Sequence, residues 1–565
     1  KGVFTTCKKN NDCPPWQIKA KEINHDKEKK IINYKHAWLE IYDKPIVYFP
    51  KFFHPDPTVK RQSGFLMPQV IDSSSLGLSL KLPYFKVIDD NRDLTFTPRI
   101  FSENEALFQN EYRQVNKSSK HIADFSLKEK NSSSKTHFFS NSITKLNMDT
   151  FDVSEIELNL ETTSDIDYLK THNIESAINN NQSLLKSFLI FRGNSRNMDL
   201  ETKIEAYEDL TDDKSSDRYE YIFPSYEFSK RFASNYNGNY EIKSRGNYKN
   251  YNTNIFEKVL INDLQYKSHP KITPSGFVNK FNLLLKNITS EGDNSSAYKN
   301  KFSSENYGSI FYDISYPLKK EGNFFDNFFT AKGSLMYSPN ANKDLKNLDR
   351  KIDINNIFTQ NRLSLDDTVE GGQSLTFGGE YNLKDKESGN NIIKAGVATV
   401  LRDDEEKNLP TKSTLNNKGS DFIGSLVFEP NKNLKLDYNF SIDSDLESSN
   451  YNLIKTDLSV NKFVTSFEFL QEDDEVGSES YLSNETSYNF NDAYSLRYRT
   501  RRNEKTDFTE FYNLIYEYKN DCLTACIKYN KTFYQDRDLL PAENFMFSIT
   551  LFPLTTHETN FYGID

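Results

Sequence analysis

The sequence contains no run of apolar residues that could form a membrane-spanning helix, which requires about 18 or more apolar residues in succession. The most apolar segment, SLLKSFLIF (183–191), is half as long and includes Lys186. Membrane helices are therefore excluded. A membrane β-barrel is not, because its strands need only about ten residues with apolar side chains on one face.

A basic domain is also missing. The chain has 71 Lys and Arg against 81 Asp and Glu, a net charge of −10, whereas a protein that binds nucleic-acid phosphates needs the opposite balance. Catalytic motifs such as G-x-S-x-G and H-E-x-x-H are absent, and the eight histidines lack metal-binding spacing. The sequence therefore predicts no enzyme, cofactor, metal site or nucleic-acid partner.

Aromatic residues, by contrast, are plentiful, with 43 Phe and 33 Tyr, whereas the chain has only 5 Met and 21 Gly. This composition favours β structure. In LKLDYNFSID (434–443) apolar side chains share one face and polar side chains the other, and YSLRYRTR (494–501) and YNLIYEY (512–518) repeat the pattern. Such strands are typical of outer-membrane barrels. A soluble β-sandwich or solenoid would show the same alternation.

The connections between these strands have two lengths. Short turns such as EPNKN (429–433) and KND (519–521) alternate with long polar segments such as ESAINNNQS (175–183) and TSEGDNSSAYKNKFSSEN (289–306). Transmembrane barrels have short turns at one end and long loops at the other. We therefore predict an all-β protein built around a large transmembrane antiparallel barrel.

The start of the chain differs from the rest. WQIKAKEI (16–23) and KIINYKHAWLEIY (30–42) predict two short strands joined by a turn at HDKEKK. We expect residues 1–47 to end a separate β domain, 48–62 to be a linker, 63–555 the barrel and 556–565 a tail. The chain opens inside a strand-like run, Lys1-Gly-Val-Phe, so we also expect its natural start to be missing.

Four cysteines stand in two pairs near the ends of the chain: Cys7, Cys13, Cys522 and Cys526. Their spacing, without nearby histidines, matches a zinc site poorly. Alternation along DCLTACIKYNKTF (521–533) predicts Leu523 and Ile527 on the lipid face and Cys522 and Cys526 in the lumen. If the N-terminal domain lies at the same rim, an oxidising compartment would permit long-range disulfides, with three pairings open.

Specific motifs occur at both ends of the chain and in its middle. They are FTTC (4–7), PPWQIKAKEINHD (14–26), AWLEIYDKPIVYFPKFFHPDPTVKRQSGFLMP (37–68), LPYF (82–85), DLTFTPR (93–99), the stretch from Tyr337-Ser-Pro through Arg362 to Glu370-Gly-Gly, and QDRDLLPAENFMFSITLF (535–552). Together they resemble the LptD (OstA/Imp) family of lipopolysaccharide-assembly outer-membrane proteins. The resemblance is dense over residues 4–100 and 510–552 and thinner between them.

The resemblance implies a periplasmic β-jellyroll followed by a 26-stranded barrel in the outer membrane of a Gram-negative cell. It implies four kinds of partner: lipopolysaccharide, an LptE-type lipoprotein plug, an LptA-type jellyroll bridge protein, and the barrel-assembly machinery during insertion. Most of the jellyroll is absent here. The C-terminal cysteines are separated by three residues rather than adjacent, and we favour the pairings Cys7–Cys522 and Cys13–Cys526.

A closed barrel must also pair its first strand with its last, here SGFLMPQVID (63–72) with ENFMFSITLF (543–552). Proline donates no backbone hydrogen bond, so a proline in each of the first two strands predicts a weak seam that could open sideways for lipid. Bulges that only bend the strands are the alternative explanation. The predicted gate residues are Gly64, Phe65, Pro68, Pro83, Phe547 and Ile549.

Other hypotheses remain open at this point. A general porin or receptor channel, or an adhesin-like soluble β protein, would explain the strands but not the cysteines and prolines. The acidic clusters DDEE (403–406) and EDDE (472–475) could bind cations, although solvated loops explain them more simply. Lys60 and Arg61 could meet an anionic lipid or lie in a solvated turn, and we expect a structural role for His25.

Overall fold

The computed structural model of the protein describes residues 2–7, 14–56, 59, 61–66, 68–74, 76–102, 105–130, 133–211, 217–234, 237–473, 476–533 and 541–551.

Four antiparallel strands form an N-terminal sheet in chain order: β1 (Gly2–Phe4), β2 (Trp16–Asp26), β3 (Ile31–Ile41) and β4 (Lys44–Pro55). The predicted hairpin at HDKEKK is present, because β2 and β3 pair up to Asp26 and Ile31. One face of the sheet buries Trp16, Ile18 and Tyr34, each at most 1% exposed. β4 carries the sheet beyond residue 47, and the boundaries proposed at residues 47, 62 and 555 remain predictions.

The other strands close into one antiparallel barrel. Its elements are β5 (Gly64–Phe65), β6 (Gln69–Ser73), β7 (Gly77–Lys81), β8 (Tyr84–Asp89), β9 (Arg92–Phe101), β10 (Ala106–Val115), β11 (Ser119–Lys130), β12 (Ser133–Leu146), β13 (Val153–Thr163), β14 (Leu184–Ser195), β15 (Met198–Asp209), β16 (Tyr219–Ser234), β17 (Gly238–Tyr251), β18 (Ile255–Ser268), β19 (Lys271–Ile272), β20 (Val278–Asp293), β21 (Ser303–Glu321), β22 (Phe325–Ser338), β23 (Gly372–Asp385), β24 (Asn391–Arg402), β25 (Phe422–Asn431), β26 (Leu434–Ile442), β27 (Ser449–Val460), β28 (Phe463–Glu472), β29 (Ser480–Asn489), β30 (Tyr494–Asn503), β31 (Phe508–Lys519), β32 (Leu523–Thr532) and β33 (Glu543–Leu551). A short helix, α1 (Tyr168–His172), and one 3₁₀ turn, Thr411–Ser413, complete the regular structure in the described residues.

Two of the barrel strands are broken. β5 and β6 follow one another along the first strand, and β7 and β8 along the second, while β19 is a two-residue arm beside β20. Counted in this way, the described residues form the predicted barrel of 26 strands.

The two faces of the strands are the reverse of those in a soluble protein. On β13, Ile156, Leu158 and Leu160 point outward and are 37–41% exposed, whereas Asn159 between them is only 5% exposed. The same inversion runs along β11. Apolar side chains on the outside and polar ones inside are what a barrel in lipid requires, so the hypotheses of a soluble sandwich or solenoid are wrong.

Short turns lie at the rim that carries the N-terminal sheet, here called the near rim, and the long loops lie at the opposite, far rim. Three far-rim loops fold back into the lumen: residues 164–183, 339–371 and 403–421. Gln360, for example, accepts a hydrogen bond of 3.3 Å from Gln265, ten residues along β18 from its far-rim end.

Within the described ranges, none of the helices has the length and apolar character needed to cross a membrane.

Candidate functional site: the seam and the lumen

The barrel closes through a short seam between β6 and β33. Five residue pairs join the two strands, from Gln69–Ser548 to Ser73–Asn544. Nine pairs join β33 to β32 on its other side. When the two halves of each broken strand are counted together, the next shortest ladder of the barrel is the one between β24 and β25, with six pairs. Beyond Ser548, the residues of β33 pair with β32 but with no described residue of the first strand. The near-rim half of the seam is therefore open.

Both predicted prolines lie where strands break. Pro68 separates β5 from β6, and Pro83 separates β7 from β8. The two breaks are side by side, because β6 pairs with β7 and β5 pairs with β8. Leu66 donates its backbone N–H to the carbonyl of Pro83 over 2.8 Å. Proline has no N–H to donate. Next to Pro68, the first strand is therefore hydrogen-bonded to the second strand and not to β33.

The other predicted gate residues surround this opening. Gly64 and Phe65 constitute β5, and Phe65 is 64% exposed on the outside of the barrel. Phe547 pairs with Val70 across the seam, and Ile549 lies just past the last seam pair. The structure thus collects these residues at one place, while their role as a gate remains a prediction.

A disulfide joins the N-terminal sheet to the near rim beside the seam. Cys7 and Cys522 are bonded across 515 residues of sequence, with their Cα atoms 5.0 Å apart. Trp16 donates its indole N–H to the carbonyl of Cys522 over 3.0 Å. Leu523, predicted to face lipid, is instead 3% exposed, because the N-terminal sheet covers this end of β32.

The second favoured pairing, Cys13–Cys526, stays a prediction. Cys526 carries a free thiol, and Cys13 lies outside the described residues. Cys526 is four residues beyond Cys522, which at roughly 3.3 Å per residue places it about 13 Å along the strand from the covered rim. It therefore faces the lumen away from the N-terminal sheet.

Two loops from the far rim build an apolar core inside the lumen. Residues 339–371 contribute Ile357 and Leu363, and residues 403–421 contribute Leu409 and Leu415, each at most 4% exposed. These side chains pack against the inner wall at β24 and β25. Apolar packing of this kind fixes loops that their composition alone would leave solvated.

An ion cluster anchors this core to the wall. Glu370 accepts hydrogen bonds from Arg362 at 2.8 and 2.5 Å and also from Arg402. All three side chains are at most 5% exposed. Burial disfavours the carboxylate, but the two guanidinium charges outweigh it, so the pKa of Glu370 lies below its usual value.

Gly371 and Gly372, which follow Glu370, are each favoured over other residues for a different physical reason. A side chain at Gly371 would overlap the carbonyl oxygen of Asn340. Gly372 has a φ of +83°, which favours glycine because other residues lose stability there. The Glu370-Gly-Gly motif is therefore the point where the loop re-enters the wall, with its charge held between two arginines.

The third loop, residues 164–183, lies against the inner wall next to the seam. Tyr168 and Leu169 of α1 are at most 1% exposed and pack on Leu107 and Phe139. Arg99 of β9 donates to the carbonyl of His172 over 2.7 Å. Burial, followed by the charges of nearby Lys and Arg side chains, lowers the pKa of His172 to about 3, so this histidine is neutral in the folded loop.

Under this loop, Asp124, Ser126 and His137 come together in a way that the sequence analysis missed. Ser126 Oγ lies 2.6 Å from His137 Nδ1 and 2.7 Å from the hydroxyl of Tyr168. His137 Nε2 is 3.4 Å from Asp124. A hydrolytic triad normally turns Nε2 towards the serine and Nδ1 towards the carboxylate, and these side chains are sealed under α1. The group anchors the loop and does not form an accessible nucleophile.

Arg61 and His25, two further candidates from the sequence that the structure describes, have structural partners. Arg61 pairs with Asp93 and donates to the carbonyl of Asp90 over 2.6 Å, so it is not a free cation for a lipid. His25 lies 2.8 Å from Asp56. Lys60 and residues 474–475 of EDDE lie outside the described residues. In the described part of the chain, no three His, Cys, Asp or Glu side chains are grouped so as to hold a metal ion.

The lumenal loops are the main feature that sequence reasoning missed. The available signal was the presence of Ile352, Ile357, Leu363 and Leu365 in a long segment between two strands. A solvated loop would not concentrate such residues, because their burial stabilises a fold by about 1.5–3 kcal/mol each.

Comparison with known proteins gives a family match and several relatives. The family model described as LptD: LPS transport system D matches residues 137–471, more than half of the chain. The LPS-assembly protein LptD of Polaromonas sp. is 23% identical over 459 residues, which cover 74% of this chain and 54% of the relative. The LptD proteins of Nitrosomonas eutropha and Pseudoalteromonas translucida are 33% identical over 115 residues and 37% identical over 112 residues, each covering 20% of this chain and 15% of the relative.

The family match falls on the middle of the chain, where the sequence motifs were thinnest. The chain spans at most about half the length of these relatives. Among solved structures, the FrpB iron transporter of Neisseria meningitidis aligns with a TM-score of 0.33 and 8% identity over 92% of this chain and 87% of that one, a likeness too weak to carry an argument.

Proposed function

The chain belongs to the LptD family, and from this premise we propose that it inserts lipopolysaccharide into the outer leaflet of the outer membrane through the seam between β6 and β33. The family and the large barrel indicate a Gram-negative outer-membrane protein. In the proposal, the near rim and the N-terminal sheet face the periplasm and the far-rim loops face the cell exterior.

The short seam is the observation that carries this proposal. Lipopolysaccharide has acyl chains that must stay in lipid and sugars that must stay in water. A barrel can meet both needs only by parting two strands, and each backbone group exposed to lipid without a partner costs several kcal/mol. Five pairs, with the near-rim half already open, leave fewer hydrogen bonds to break here than between neighbouring strands.

The lumen suits the polar part of the same molecule. Its wall carries charged side chains such as Arg192, Glu201 and Lys203, each 31–36% exposed. Sugars and phosphates pass along this wall while the acyl chains leave between the strands. The three lumenal loops narrow the barrel, which disfavours the alternative of a general diffusion porin.

We assign the partners by the same reasoning. A jellyroll bridge protein of the LptA type delivers lipopolysaccharide to the N-terminal sheet, and a lipoprotein of the LptE type occupies the remaining lumen. Copurification of the protein from membranes in mild detergent, followed by mass spectrometry, checks the second assignment, since a small lipoprotein should be recovered in a one-to-one ratio.

Depletion of the protein in living cells tests the transport function. When its expression is shut off, newly labelled lipopolysaccharide should stay inaccessible to an external antibody, and phospholipid should enter the outer leaflet. Restoring expression from a plasmid is the control. Normal surface lipopolysaccharide after complete depletion contradicts the proposal.

A further inference from the structure

A polar cavity of about 720 Å³ lies between the loop of residues 164–183 and the last two strands. Ten residues of this loop, between Lys170 and Ser183, form one side, and Asn530, Thr532 and Ala542 form the other. Its volume lies in the range of roughly 300–1,000 Å³ that small-molecule sites occupy. It is separate from the seam itself and from the apolar core of the other two loops.

The lining of this cavity has an unusual chemical character. Six of its side chains are carboxamides: Asn173, Asn179, Asn180, Asn181, Gln182 and Asn530. A carboxamide both donates and accepts hydrogen bonds, and so does a sugar hydroxyl. The charged side chains in the lining, Lys170 and Glu175, have opposite signs, so the cavity has no net charge with which to select a phosphate.

Some of these carboxamides fix the loop and others are left for a ligand. Asn179 donates to Glu161 at 2.5 Å and accepts from the backbone of Asn181 at 2.8 Å, and Gln182 donates to the carbonyl of Ile174. The side chains of Asn180 and Asn530 make no hydrogen bond within the described residues. The loop is thus held in place by one set while another set faces the cavity.

The cavity lies directly behind the seam at the far rim. Glu175 is 3.9 Å from Lys81 of β7, in the second strand, and Asn530 pairs with Asn544 near the seam end of β33. A lipid that leaves through the seam would therefore bring its attached sugars next to this cavity.

We propose that the cavity binds the sugar chain of lipopolysaccharide while the lipid part passes through the seam. The inference rests on the proposed transport function and adds to it a neutral, hydroxyl-binding site at the exit. Binding here holds the sugars at the far-rim end of the lumen while the lipid part enters the membrane.

Site-specific photo-crosslinking in living cells tests this site. A photoreactive amino acid is placed at Thr532 in the cavity, at Phe547 on the outer face of the seam, and at Asn439 on β26 in another part of the lumen. The Thr532 and Phe547 probes should both capture lipopolysaccharide in cells that make the full sugar chain. In cells whose lipopolysaccharide is truncated to the lipid with its phosphates and innermost sugars, only the Phe547 probe should continue to do so.

A matched set of variants sharpens the result. Asn180→Leu with Asn530→Leu removes two hydrogen-bonding partners, so capture at Thr532 should fall about tenfold, while Asn439→Leu should leave it unchanged. Capture at Phe547 without capture at Thr532, or equal capture of truncated lipopolysaccharide at Thr532, overturns the sugar site and leaves transport standing. Capture at neither position overturns the proposed function as well.

Discussion

Replacing Glu370 by glutamine should release the lumenal loop of residues 339–371 without unfolding the barrel. The carboxylate holds Arg362 and Arg402, all three side chains being at most 5% exposed. The replacement keeps the size of the side chain and removes only its charge. Two buried guanidinium groups are then left without a counter-charge.

The magnitude follows from that burial. Removing one partner of a buried ion pair costs about 3–5 kcal/mol, because the remaining charge is uncompensated. The amide oxygen of glutamine still accepts one hydrogen bond, so we expect the lower end, about 3 kcal/mol. Hydrogen exchange measures the free energy of local opening of the loop. A loss of about 3 kcal/mol in that free energy corresponds to a fall of roughly a hundredfold in hydrogen-exchange protection.

Hydrogen exchange with mass spectrometry on the purified protein in detergent measures the effect. Peptides from residues 343–371 should lose protection, whereas peptides from β13 should not. The control is Asp404→Asn, which also replaces a carboxylate by an amide. Asp404 pairs with Lys418, and their side chains are 83% and 63% exposed, respectively. A pair this exposed contributes less than about 1 kcal/mol. Unchanged protection of the loop in the Glu370→Gln variant would refute the anchoring role of the cluster.

Three further predictions concern the seam, the rim and the third loop. Pro68→Ala combined with Pro83→Ala restores two backbone donors, so lipopolysaccharide export should slow while barrel abundance stays constant, as followed by pulse labelling and immunoblotting. Cys522→Ser should abolish the reductant-dependent mobility shift of the denatured protein in electrophoresis, because the Cys7–Cys522 bond closes almost the whole chain into a loop. The pKa of His172 is lowered from 6.5 to about 3, so the unfolded loop binds more protons below pH 6.5, and lowering the pH from 7.5 to 5 should weaken the loop by about 2 kcal/mol.

Each of these has its own control. Pro55→Ala, outside the barrel, should leave export unchanged, and faster export in the double proline variant contradicts a gate that the prolines weaken. Cys526→Ser should leave the mobility shift intact. The charged groups that act on His172 are Lys128, Arg99, Lys135 and Glu105. In the His172→Phe variant, the hydrogen-exchange protection of the loop should no longer depend on pH between 5 and 7.5. A loop in the unaltered protein that is equally protected at both values refutes the assignment.

Much of the barrel could be predicted from the sequence because its rules are local. Alternation along LKLDYNFSID gives β26 (Leu434–Ile442) directly, since each inward or outward position depends only on the residue itself. Pro68 and Pro83 likewise predict their strand breaks by the missing N–H. The Cys7–Cys522 bond was the favoured pairing among three.

What could not be predicted depends on contacts between distant parts of the chain. Ile357 and Leu409 lie in segments whose polar neighbours suggest solvated loops, and only the closed barrel shows that they share a core. Leu523 follows the alternation of a lipid-facing residue but is covered by the N-terminal sheet. The carboxamide cavity joins two segments more than 300 residues apart in sequence, and no local pattern connects them.

Locking the seam tests the central claim most directly. Ile71 and Met546 face each other across it, with side chains on the lumenal side, so Ile71→Cys with Met546→Cys in a Cys526→Ser background can form a disulfide there. The control is Lys528→Cys with Met546→Cys, which locks β32 to β33 one strand away. We expect the seam disulfide to stop lipopolysaccharide export, reductant to restore it, and the control disulfide to leave it unaffected. Undiminished export through a seam shown to be fully cross-linked would contradict lateral passage between β6 and β33.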